Sequence, residues 1–307
     1  MNLHHVTESQ QFTLPILHEL FGEADRMERI VARGGTRDYE RAVMASLFYE
    51  PSTRTRFSFE SAMLRLGGRA ISTERAQEFS SVVLGESLED TIRVVSHYAD
   101  VIVLRHNEIG GATRAAAVSS IPVINAGDGK GGQHPTQALL DLYTIQKELG
   151  TIDGVKVALV GNLADGRTVR SLAYLLGKFD RVKLYFIAPP SLQIRNDIRD
   201  YLSRHNVWFA LEHDLAAVLP EVDVLYLTRI EPELAQAGGA AQEKKASYIL
   251  DESTAKLLKP TSLIMHPLPR LNEIAPALDA DPRSAYFRQT RYGVFIRMAL
   301  LASVLEP

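Results

Sequence analysis

Short apolar runs alternate with amphipathic helical patterns along most of this chain, and this alternation limits the fold more than any other feature. Apolar runs lie at 43–49, 100–105, 121–125, 155–161, 182–187, 207–211, 222–228 and 262–265. Helical patterns lie at 14–34, 86–98, 135–149, 167–178, 191–204, 252–258 and 293–305. Because strands that alternate with helices usually form parallel sheets covered by helices, the sequence predicts an α/β fold.

The strand and helix pattern begins again after Gly150, which predicts two domains within the 307 residues. We expect each to be a doubly wound parallel sheet. The first domain would comprise residues 1–150 and the second 151–292. A C-terminal helix, 293–307, would return to pack on the first domain.

Composition excludes several functional classes. The formal net charge is −3, from 34 basic and 37 acidic residues, so nothing indicates a nucleic-acid-binding face or a basic membrane-binding face. The chain has no cysteine, which excludes disulfides, thiol nucleophiles and cysteine-bound zinc. Residues 1–11 are polar and no apolar run is long enough to span a membrane, so we expect a cytoplasmic protein. We find no cluster of metal ligands and expect no cofactor.

The segment 51–56 (Pro-Ser-Thr-Arg-Thr-Arg) joins the first apolar run to a helical pattern. It places two arginines and three hydroxyls in the first turns of a helix, where backbone N–H groups lack partners and the helix dipole is positive. Such an end suits a phosphate group. The alternative is that Ser52 is an ordinary N-cap followed by solvated arginines.

A glycine-rich loop, 127–133, leads to a second helix start at His134-Pro135-Thr136-Gln137. Pro135 suits the first helical position, and glycines let the backbone approach a ligand. His134 and Gln137 share a helix face and could hydrogen-bond a small carbonyl and an amide. The alternative is a flexible turn with a capping histidine.

The segment 160–168 (Val-Gly-Asn-Leu-Ala-Asp-Gly-Arg-Thr) imitates a nucleotide P-loop, but Arg167 stands where such a loop needs lysine. The three-glycine spacing of a dinucleotide fingerprint is also missing. We therefore expect Arg167 to face an acidic group at a junction between a strand and a helix.

Three further segments follow predicted strands, which is where open α/β sheets bind ligands. Arg105 and Arg229 end two strands, and His266-Pro267-Leu268-Pro269-Arg270 follows a third. Four cations, suited to substrates that carry several negative charges, would come from Arg54, Arg105, Arg167 and Arg229. The predicted chemistry is positioning and electrostatic stabilisation, without a covalent intermediate.

Taken together, these motifs resemble those of the aspartate/ornithine carbamoyltransferase family, from about residue 12 to the end. The Ser-Thr-Arg-Thr-Arg segment resembles the family's phosphate-binding signature. The segments 134–137 and 266–270 resemble the other two family motifs. Any one motif is weak, but all three in order on two α/β halves are specific. The ornithine branch has a cysteine-containing loop at 266–270, so the resemblance is to the aspartate branch.

The resemblance implies a transferase that moves the carbamoyl group of carbamoyl phosphate to the amino group of L-aspartate, in pyrimidine biosynthesis. It implies a carbamoyl phosphate site formed by Ser52, Thr53, Arg54, Thr55, Arg105, His134 and Gln137. Arg105, His134 and Thr55 would polarise the carbonyl, and Gln137 would accept the carbamoyl NH2; Arg54 is the fourth implied catalytic residue. It implies an aspartate site formed by Arg167, Arg229, Glu231, Pro267 and Leu268.

The family assembles as a homotrimer, in which a loop from the neighbouring chain completes each site. Ser80 would enter the neighbouring site in this way. The family's lysine before Gly-Glu in this loop is replaced by Leu84, and its usual glutamine two residues past Arg229 is replaced by Glu231. Losing the lysine contact could lower the rate by about 10²–10³, by analogy with oxyanion-hole deletions. Lys130 and Arg75 are candidates for a compensating cation.

These departures leave three hypotheses open. The chain is an aspartate carbamoyltransferase-like enzyme of this family, or a paralogue that uses another amine, or a non-catalytic homologue that acts as a binding or assembly subunit. The polar segment 233–247 is either a substrate-closing loop or a plain linker. The sequence does not decide whether regulatory chains or a dihydroorotase associate with the trimer.

Overall fold

The structure, a computed structural model, describes residues 3–74, 76, 85–229 and 248–305. The chain divides into two compact units, Met1–Leu140 with Arg291–Pro307 and Asp141–Thr290. Each unit has its own parallel sheet and its own buried apolar core. None of the helices within the described ranges has both the length and the apolar character that crossing a membrane requires.

The first unit contains a four-stranded parallel sheet in the order β2-β1-β3-β4. Its strands are β1 Val43–Phe48, β2 Arg69–Glu74, β3 Val101–Arg105 and β4 Val123–Asn125. Its described helices are α1 Leu14–Ala32, α2 Thr53–Arg65, α3 Leu88–Val95, α4 Gly111–Val118 and the start of α5 Pro135–Leu149. The central strands β1 and β3 are almost wholly buried, as their continuous apolar runs predict.

The second unit contains a five-stranded parallel sheet in the order β7-β6-β5-β8-β9. Its strands are β5 Lys156–Val160, β6 Lys183–Ile187, β7 Trp208–Glu212, β8 Val224–Leu227 and β9 Leu263–Met265. Its described helices are α6 Arg167–Leu176, α7 Asn196–Arg204, α8 Leu215–Val218, α9 Glu252–Ala255 and the start of α10 Tyr286–Leu305. Helices α5 and α10 each contain one of the points at which the chain divides into units.

The predicted α/β class with two doubly wound parallel sheets is confirmed, and each predicted strand is present within two residues at either end. Strand β2 was not predicted, because its sequence (Arg-Ala-Ile-Ser-Thr-Glu) has no apolar run. It lies at the edge of the first sheet and is partly exposed along its length.

The C-terminal helix is present and longer than predicted, since α10 begins at Tyr286 and not at residue 293. Its last part belongs to the first unit, where Arg297 Nη1 donates to Ser58 Oγ at 2.7 Å and its guanidinium lies over the Phe59 ring. This contact holds the end of the chain against α2. The helix α7 is shorter than predicted, because a 3-10 turn at Pro190–Leu192 precedes it.

Candidate functional site

Three of the predicted catalytic residues follow the carboxyl ends of strands in the first sheet. Arg54 follows β1, Arg105 ends β3, and His134 follows β4. The strand order reverses between β1 and β3, because β2 pairs on one side and β4 on the other. Ligands of open α/β sheets bind at the carboxyl ends of strands beside such a switch point. The three residues therefore follow strands of the first sheet at its carboxyl end, where the sequence predicts a ligand.

The start of α2 is arranged as an anion-binding end. Ser52 occupies the N-cap position, but its side chain makes no capping hydrogen bond. The first backbone N–H bonded within the helix is that of Arg56, which donates to the Ser52 oxygen at 3.0 Å. Thr53, Arg54 and Thr55 precede it, in the turn whose N–H groups point out of the helix end. Ser52 is therefore the N-cap, as the alternative also predicts, but it caps through its backbone and not its side chain.

Arg56 lies beside two carboxylates of its own unit. Arg56 Nη2 lies 3.5 Å from Glu74 Oε2, and its Nε lies 3.7 Å from Glu60 Oε1. The same Glu74 carboxylate accepts the Ser52 N–H at 3.3 Å. Arg56 thus binds carboxylates of its own unit, whereas Arg54 is the arginine of the segment that we assign to a ligand.

Arg105 is held at the end of β3 by two acceptors. Its Nη2 lies 3.2 Å from Glu50 Oε2 and its Nη1 donates to the Ala126 carbonyl at 3.4 Å. Glu50 follows β1, the neighbouring strand, whose Phe48 is paired with Arg105. The sequence could not show this pair, since its partners are 55 residues apart. The Arg105 side chain is 12% exposed, so its charge is mostly removed from solvent.

His134 and Gln137 are buried at the start of α5, with 4% and 9% of their surfaces exposed. The His134 carbonyl accepts from the N–H groups of Gln137 and Ala138, and its Nδ1 lies 3.4 Å from Thr136 Oγ1. The loop before it is closed by Asp128 N–H, which donates to the Gln133 carbonyl at 2.8 Å. The loop is therefore ordered around the histidine, and not an open flexible turn.

The second unit places Arg167 and Arg229 in the same relation to its sheet. The order of strands reverses between β5 and β8, and Arg167 begins the helix after β5, while Arg229 follows β8. The N–H of Asn162 donates to the Arg229 carbonyl at 3.1 Å, which ties the two strand ends together. Both residues thus lie at the switch point of the second sheet.

A glycine makes this close approach possible. Gly161 has φ +130°, and a Cβ built on it would lie 2.1 Å from Thr228 Oγ1 and 2.6 Å from the Thr228 carbonyl oxygen. Thr228 Oγ1 itself donates to the Val160 carbonyl at 2.9 Å. The glycine of the segment that imitates a P-loop is therefore required by strand packing, which is a structural reason for its presence.

Next to Arg167, buried polar side chains form a network. Tyr226 on β8 donates to Asp141 Oδ2 at 2.6 Å and also hydrogen-bonds the Thr168 side chain, next to Arg167. Burial raises the pKa of Tyr226 well above its ordinary value, and the Asp141 charge adds to this effect. The phenol therefore stays protonated and holds the start of α6 against β8.

The segment 266–270 follows β9 and contains a cis peptide bond between Leu268 and Pro269. His266 is buried, and the charge of Arg229 contributes to its electrostatic surroundings. Arg270 pairs with Asp279 through its two terminal nitrogens, Nη1 and Nη2, and its guanidinium lies over the Tyr286 ring. Arg270 therefore stabilises its own unit.

Several predicted positions lie outside the described residues: Ser80, Leu84, Glu231, Arg75 and the segment 233–247. Lys130, the other candidate for a compensating cation, is exposed in the loop before His134. Within the described ranges, no group of three or more histidine, aspartate or glutamate side chains is placed to hold a metal ion. The residues that sequence reasoning missed are the carboxylates Glu50, Glu74 and Glu273, which carry no local motif.

Models of known families match both halves of the chain. The model described as the carbamoyl-P binding domain of aspartate/ornithine carbamoyltransferase matches residues 4–147. The model described as the Asp/Orn binding domain of the same family matches residues 153–304. Together they cover most of the sequence.

The chain is similar over nearly its whole length to named relatives. It is 52% identical over 302 residues to aspartate carbamoyltransferase 3, chloroplastic, of Pisum sativum, covering 98% of this chain and 77% of that protein. It is 46% identical over 301 residues to the aspartate carbamoyltransferase catalytic subunit of Methanopyrus kandleri, covering 98% and 96%. Among solved structures, aspartate transcarbamoylase from Trypanosoma cruzi in complex with carbamoyl phosphate and aspartate matches with a TM-score of 0.92 and 40% identity, covering 99% of this chain and 96% of that one.

Proposed function

Because the chain belongs to the aspartate/ornithine carbamoyltransferase family, we propose that it transfers the carbamoyl group of carbamoyl phosphate to the amino group of L-aspartate. The products would be N-carbamoyl-L-aspartate and phosphate. The observation that carries this proposal is the placement of paired arginines at the switch points of both sheets, Arg54 with Arg105 and Arg167 with Arg229. The Trypanosoma cruzi relative, which binds both of these substrates, supports it.

In the first unit, the start of α2 would bind the phosphate of carbamoyl phosphate. The helix dipole, the hydroxyls of Ser52, Thr53 and Thr55, and the Arg54 guanidinium all favour an anion there. Each charge-assisted hydrogen bond contributes about 1.5–3 kcal/mol.

The other residues of that edge would act on the carbamoyl group. Arg105, His134 and Thr55 would donate to the carbonyl oxygen, and Gln137 would accept from the carbamoyl NH2. Burial strengthens these interactions, since His134 and Gln137 are largely removed from solvent. These donors would therefore stabilise the negative charge that develops on the carbonyl oxygen during attack.

In the second unit, Arg167 and Arg229 would bind the two carboxylates of aspartate. A planar guanidinium binds a carboxylate through two parallel hydrogen bonds, which fixes the direction of the substrate as well as its position. The carbonyls of Pro267 and Leu268 would accept hydrogen bonds from the reacting groups. Holding the amine in this way lowers the entropic cost of the encounter.

The reaction would then follow from positioning. The amine lone pair attacks the carbamoyl carbon, a C–N bond forms, and the C–O bond to phosphate breaks as the tetrahedral intermediate collapses. The amine gives up one proton, which the departing phosphate takes, so the products are the carbamoyl amine and hydrogen phosphate. No protein nucleophile is required, which agrees with a set of site residues dominated by arginine, histidine and hydroxyl groups.

We further propose a homotrimer in which Ser80 of a neighbouring chain enters each site, a cytoplasmic location, and a role in pyrimidine biosynthesis. The family resemblance supports the trimer, while the plant relative is named as chloroplastic. The mass of the protein in solution tests the trimer, and a monomer that retains full activity would contradict a shared site.

The test of the activity is a turnover assay with carbamoyl phosphate and a panel of amines, including aspartate and ornithine. We expect phosphate release and carbamoyl product only with aspartate. Turnover with another amine alone would favour the paralogue hypothesis, for which Glu231 is the motivating residue. Binding of carbamoyl phosphate without turnover of any amine would favour a non-catalytic homologue, for which Leu84 is the motivating residue.

A further inference from the structure

A buried histidine and a buried glutamate connect the two ends of the loop that follows β9. His266 Nε2 lies 2.9 Å from Glu273 Oε1, and the two side chains are 1% and 7% exposed. The loop between them contains Pro267 and Leu268, whose carbonyls are the proposed contacts to the reacting groups. The pair therefore determines the conformation of a segment that belongs to the proposed aspartate site.

The hydrogen bonds of this pair define which ring nitrogen carries the proton. The Leu268 N–H donates to His266 Nδ1 at 2.7 Å, so Nδ1 must present a lone pair. The proton of the neutral ring is then on Nε2, and this N–H donates a hydrogen bond to Glu273 Oε1. The other carboxylate oxygen accepts the N–H groups of Leu271 and Asn272, both at 3.0 Å. Two oxygens thus serve three donors.

The charge states agree with this arrangement. Burial lowers the pKa of His266 and the charges of Arg229 and Arg270 act in the same direction, although Glu273 opposes them. Burial alone would raise the pKa of Glu273, but the hydrogen bonds from His266 and from the backbone outweigh it and lower its pKa to about 2. A neutral imidazole and an ionised carboxylate are therefore the resting states near neutral pH.

The ring in turn sets the direction of a backbone carbonyl. The Pro267–Leu268 peptide is trans, since Leu268–Pro269 is the cis bond of this loop. In a planar trans peptide the N–H and C=O groups point in opposite directions. With the Leu268 N–H directed at His266 Nδ1, the Pro267 carbonyl must point away from the ring. Leu268 has φ +55°, a conformation that a leucine seldom adopts without such restraint.

A second buried carboxylate holds the other side of the histidine. Gln289 Oε1 accepts the His266 backbone N–H at 3.1 Å, and Gln289 Nε2 donates to Asp141 Oδ1 at 2.6 Å. Asp141 also accepts from Tyr226 at 2.6 Å. His266 is therefore restrained at its backbone and at both ring nitrogens, and little freedom remains for the peptide that follows it.

We propose that Glu273 is a positioning residue for the amine acceptor, acting through the His266 ring to aim the Pro267 carbonyl. The proposal rests on the proposed function, because it assigns Glu273 a part in placing that substrate's amine. Glu273 does not touch the substrate in this scheme. It keeps the proton on Nε2, so that Nδ1 can hold the Leu268 N–H.

The variant that tests this role is Glu273→Gln, which keeps the shape of the side chain and removes one acceptor. If the amide oxygen faces the two backbone N–H groups, the amide NH2 faces His266 and requires a lone pair on Nε2. The ring proton then moves to Nδ1, against the Leu268 N–H. If the amide is turned the other way, its NH2 faces the two backbone donors. Either arrangement forces the loop to move.

We expect Glu273→Gln to lower kcat with aspartate by roughly 10- to 100-fold, the effect typical of a misplaced reacting group. KM for aspartate should change by less than about threefold, since Arg167 and Arg229 keep its carboxylates. Titration with inorganic phosphate, whose proposed ligands lie at the start of α2, counts the folded sites. Because kcat is then calculated per folded site, a loss of folded protein does not lower it. Glu148→Gln, which breaks a surface ion pair with Arg288 in the same unit, is the matched control and should keep the wild-type kcat.

A spectroscopic measurement on the wild type makes the test independent of how well the variant folds. Nitrogen-15 NMR of histidine-labelled protein distinguishes a protonated from an unprotonated ring nitrogen. The His266 signals are assigned by their loss in His266→Asn. We expect His266 with Nε2 protonated and Nδ1 bare, and a different pattern in Glu273→Gln. A wild-type ring protonated at Nδ1, or at both nitrogens, would overturn the proposal.

The two proposals fail in different ways. A wild-type protein that binds phosphate but does not turn over aspartate would overturn the proposed function, and this role with it. A wild-type protein that turns over aspartate, with Glu273→Gln within about twofold of it in kcat, would overturn the positioning role alone.

Discussion

Arg56 Nη2 lies 3.5 Å from Glu74 Oε2, in the same helix turn that presents Arg54. The carboxylate also accepts the Ser52 N–H, so Glu74 ties the end of β2 to the start of α2. Arg56 therefore has carboxylate partners in its own unit, and Arg54 is the arginine of this motif that we expect to bind phosphate.

Substitution of these two arginines should separate binding from structure. We expect Arg54→Ala to weaken binding of inorganic phosphate by about 10- to 100-fold, because a charge-assisted hydrogen bond of about 1.5–3 kcal/mol is lost. Arg56→Ala should change phosphate affinity by less than about fivefold, because its charge is engaged by Glu60 and Glu74. Isothermal titration with phosphate measures both. Equal losses in the two variants would contradict the assignment.

Gly161 should tolerate no side chain. We expect Gly161→Ala to lower the free energy of unfolding by about 2 kcal/mol or more, because φ +130° is strained for alanine and its Cβ would meet Thr228. The matched control is Gly22→Ala in α1, where nothing lies within 4 Å of the added carbon. That change should stabilise the protein by about 0.5–1 kcal/mol. Thermal unfolding of both variants measures the difference, and a Gly161→Ala protein as stable as wild type would show that the two strand ends are farther apart.

The replacement at position 84 predicts a gain of activity. We expect Leu84→Lys to raise turnover with aspartate at least about tenfold, because a cation at a charged transition state is worth about 2.7–4 kcal/mol in comparable sites. Leu84→Gln, polar but uncharged, is the control and should raise turnover much less. Steady-state rates at saturating carbamoyl phosphate measure the effect. Turnover unchanged by lysine would mean that another group already supplies the charge.

The pair of Glu273 and His266 predicts how stability depends on pH. The pKa of Glu273 is lowered to about 2 in the folded state, so below its ordinary value of 4.5 the unfolded chain binds a proton that the folded protein does not. The pKa of His266 is also lowered, which has the same effect below 6.5. Both groups therefore make the folded state less stable as the pH falls.

We expect the free energy of unfolding of the wild type to fall from about pH 6.5 to about pH 2, with the Glu273 contribution lost between about pH 4.5 and about pH 2. Glu273→Gln cannot take up that proton, so its stability should decline less steeply in the lower window. Urea denaturation at several pH values measures both curves. If the free energy of unfolding declined equally steeply in the two proteins, Glu273 would be protonated in the folded state.

Local patterns were sufficient for most of the fold. An apolar run such as Val101–Arg105 predicts a buried strand, because a strand covered on both faces needs apolar side chains throughout. Pro135 marks the start of α5 through its missing N–H and its preset φ. Strand β2 was not predicted, because an exposed edge strand needs no such apolar run. Its register is set by pairing with β1.

The candidate site was predictable where its residues stand in motifs. Arg54, His134 and Pro267 lie in segments with recognisable turn and cap chemistry, and Arg105 and Arg229 follow strands. Their partners have no such signal. The pairing of Arg105 with Glu50 depends on β1 and β3 being neighbours in the sheet, which no local spacing records.

The sequence by itself determined the succession of strands and helices along the chain, except for β2, and the residue types at strand ends, since periodicity and helix-start chemistry act over a few residues. Only the tertiary structure decided which carboxylate meets which cation, which nitrogen of His266 carries the proton, and why Gly161 cannot be replaced. Only folding brings the residues of these contacts within a few ångströms of each other. The energies of the contacts therefore depend on sheet order and packing, which a linear pattern does not contain.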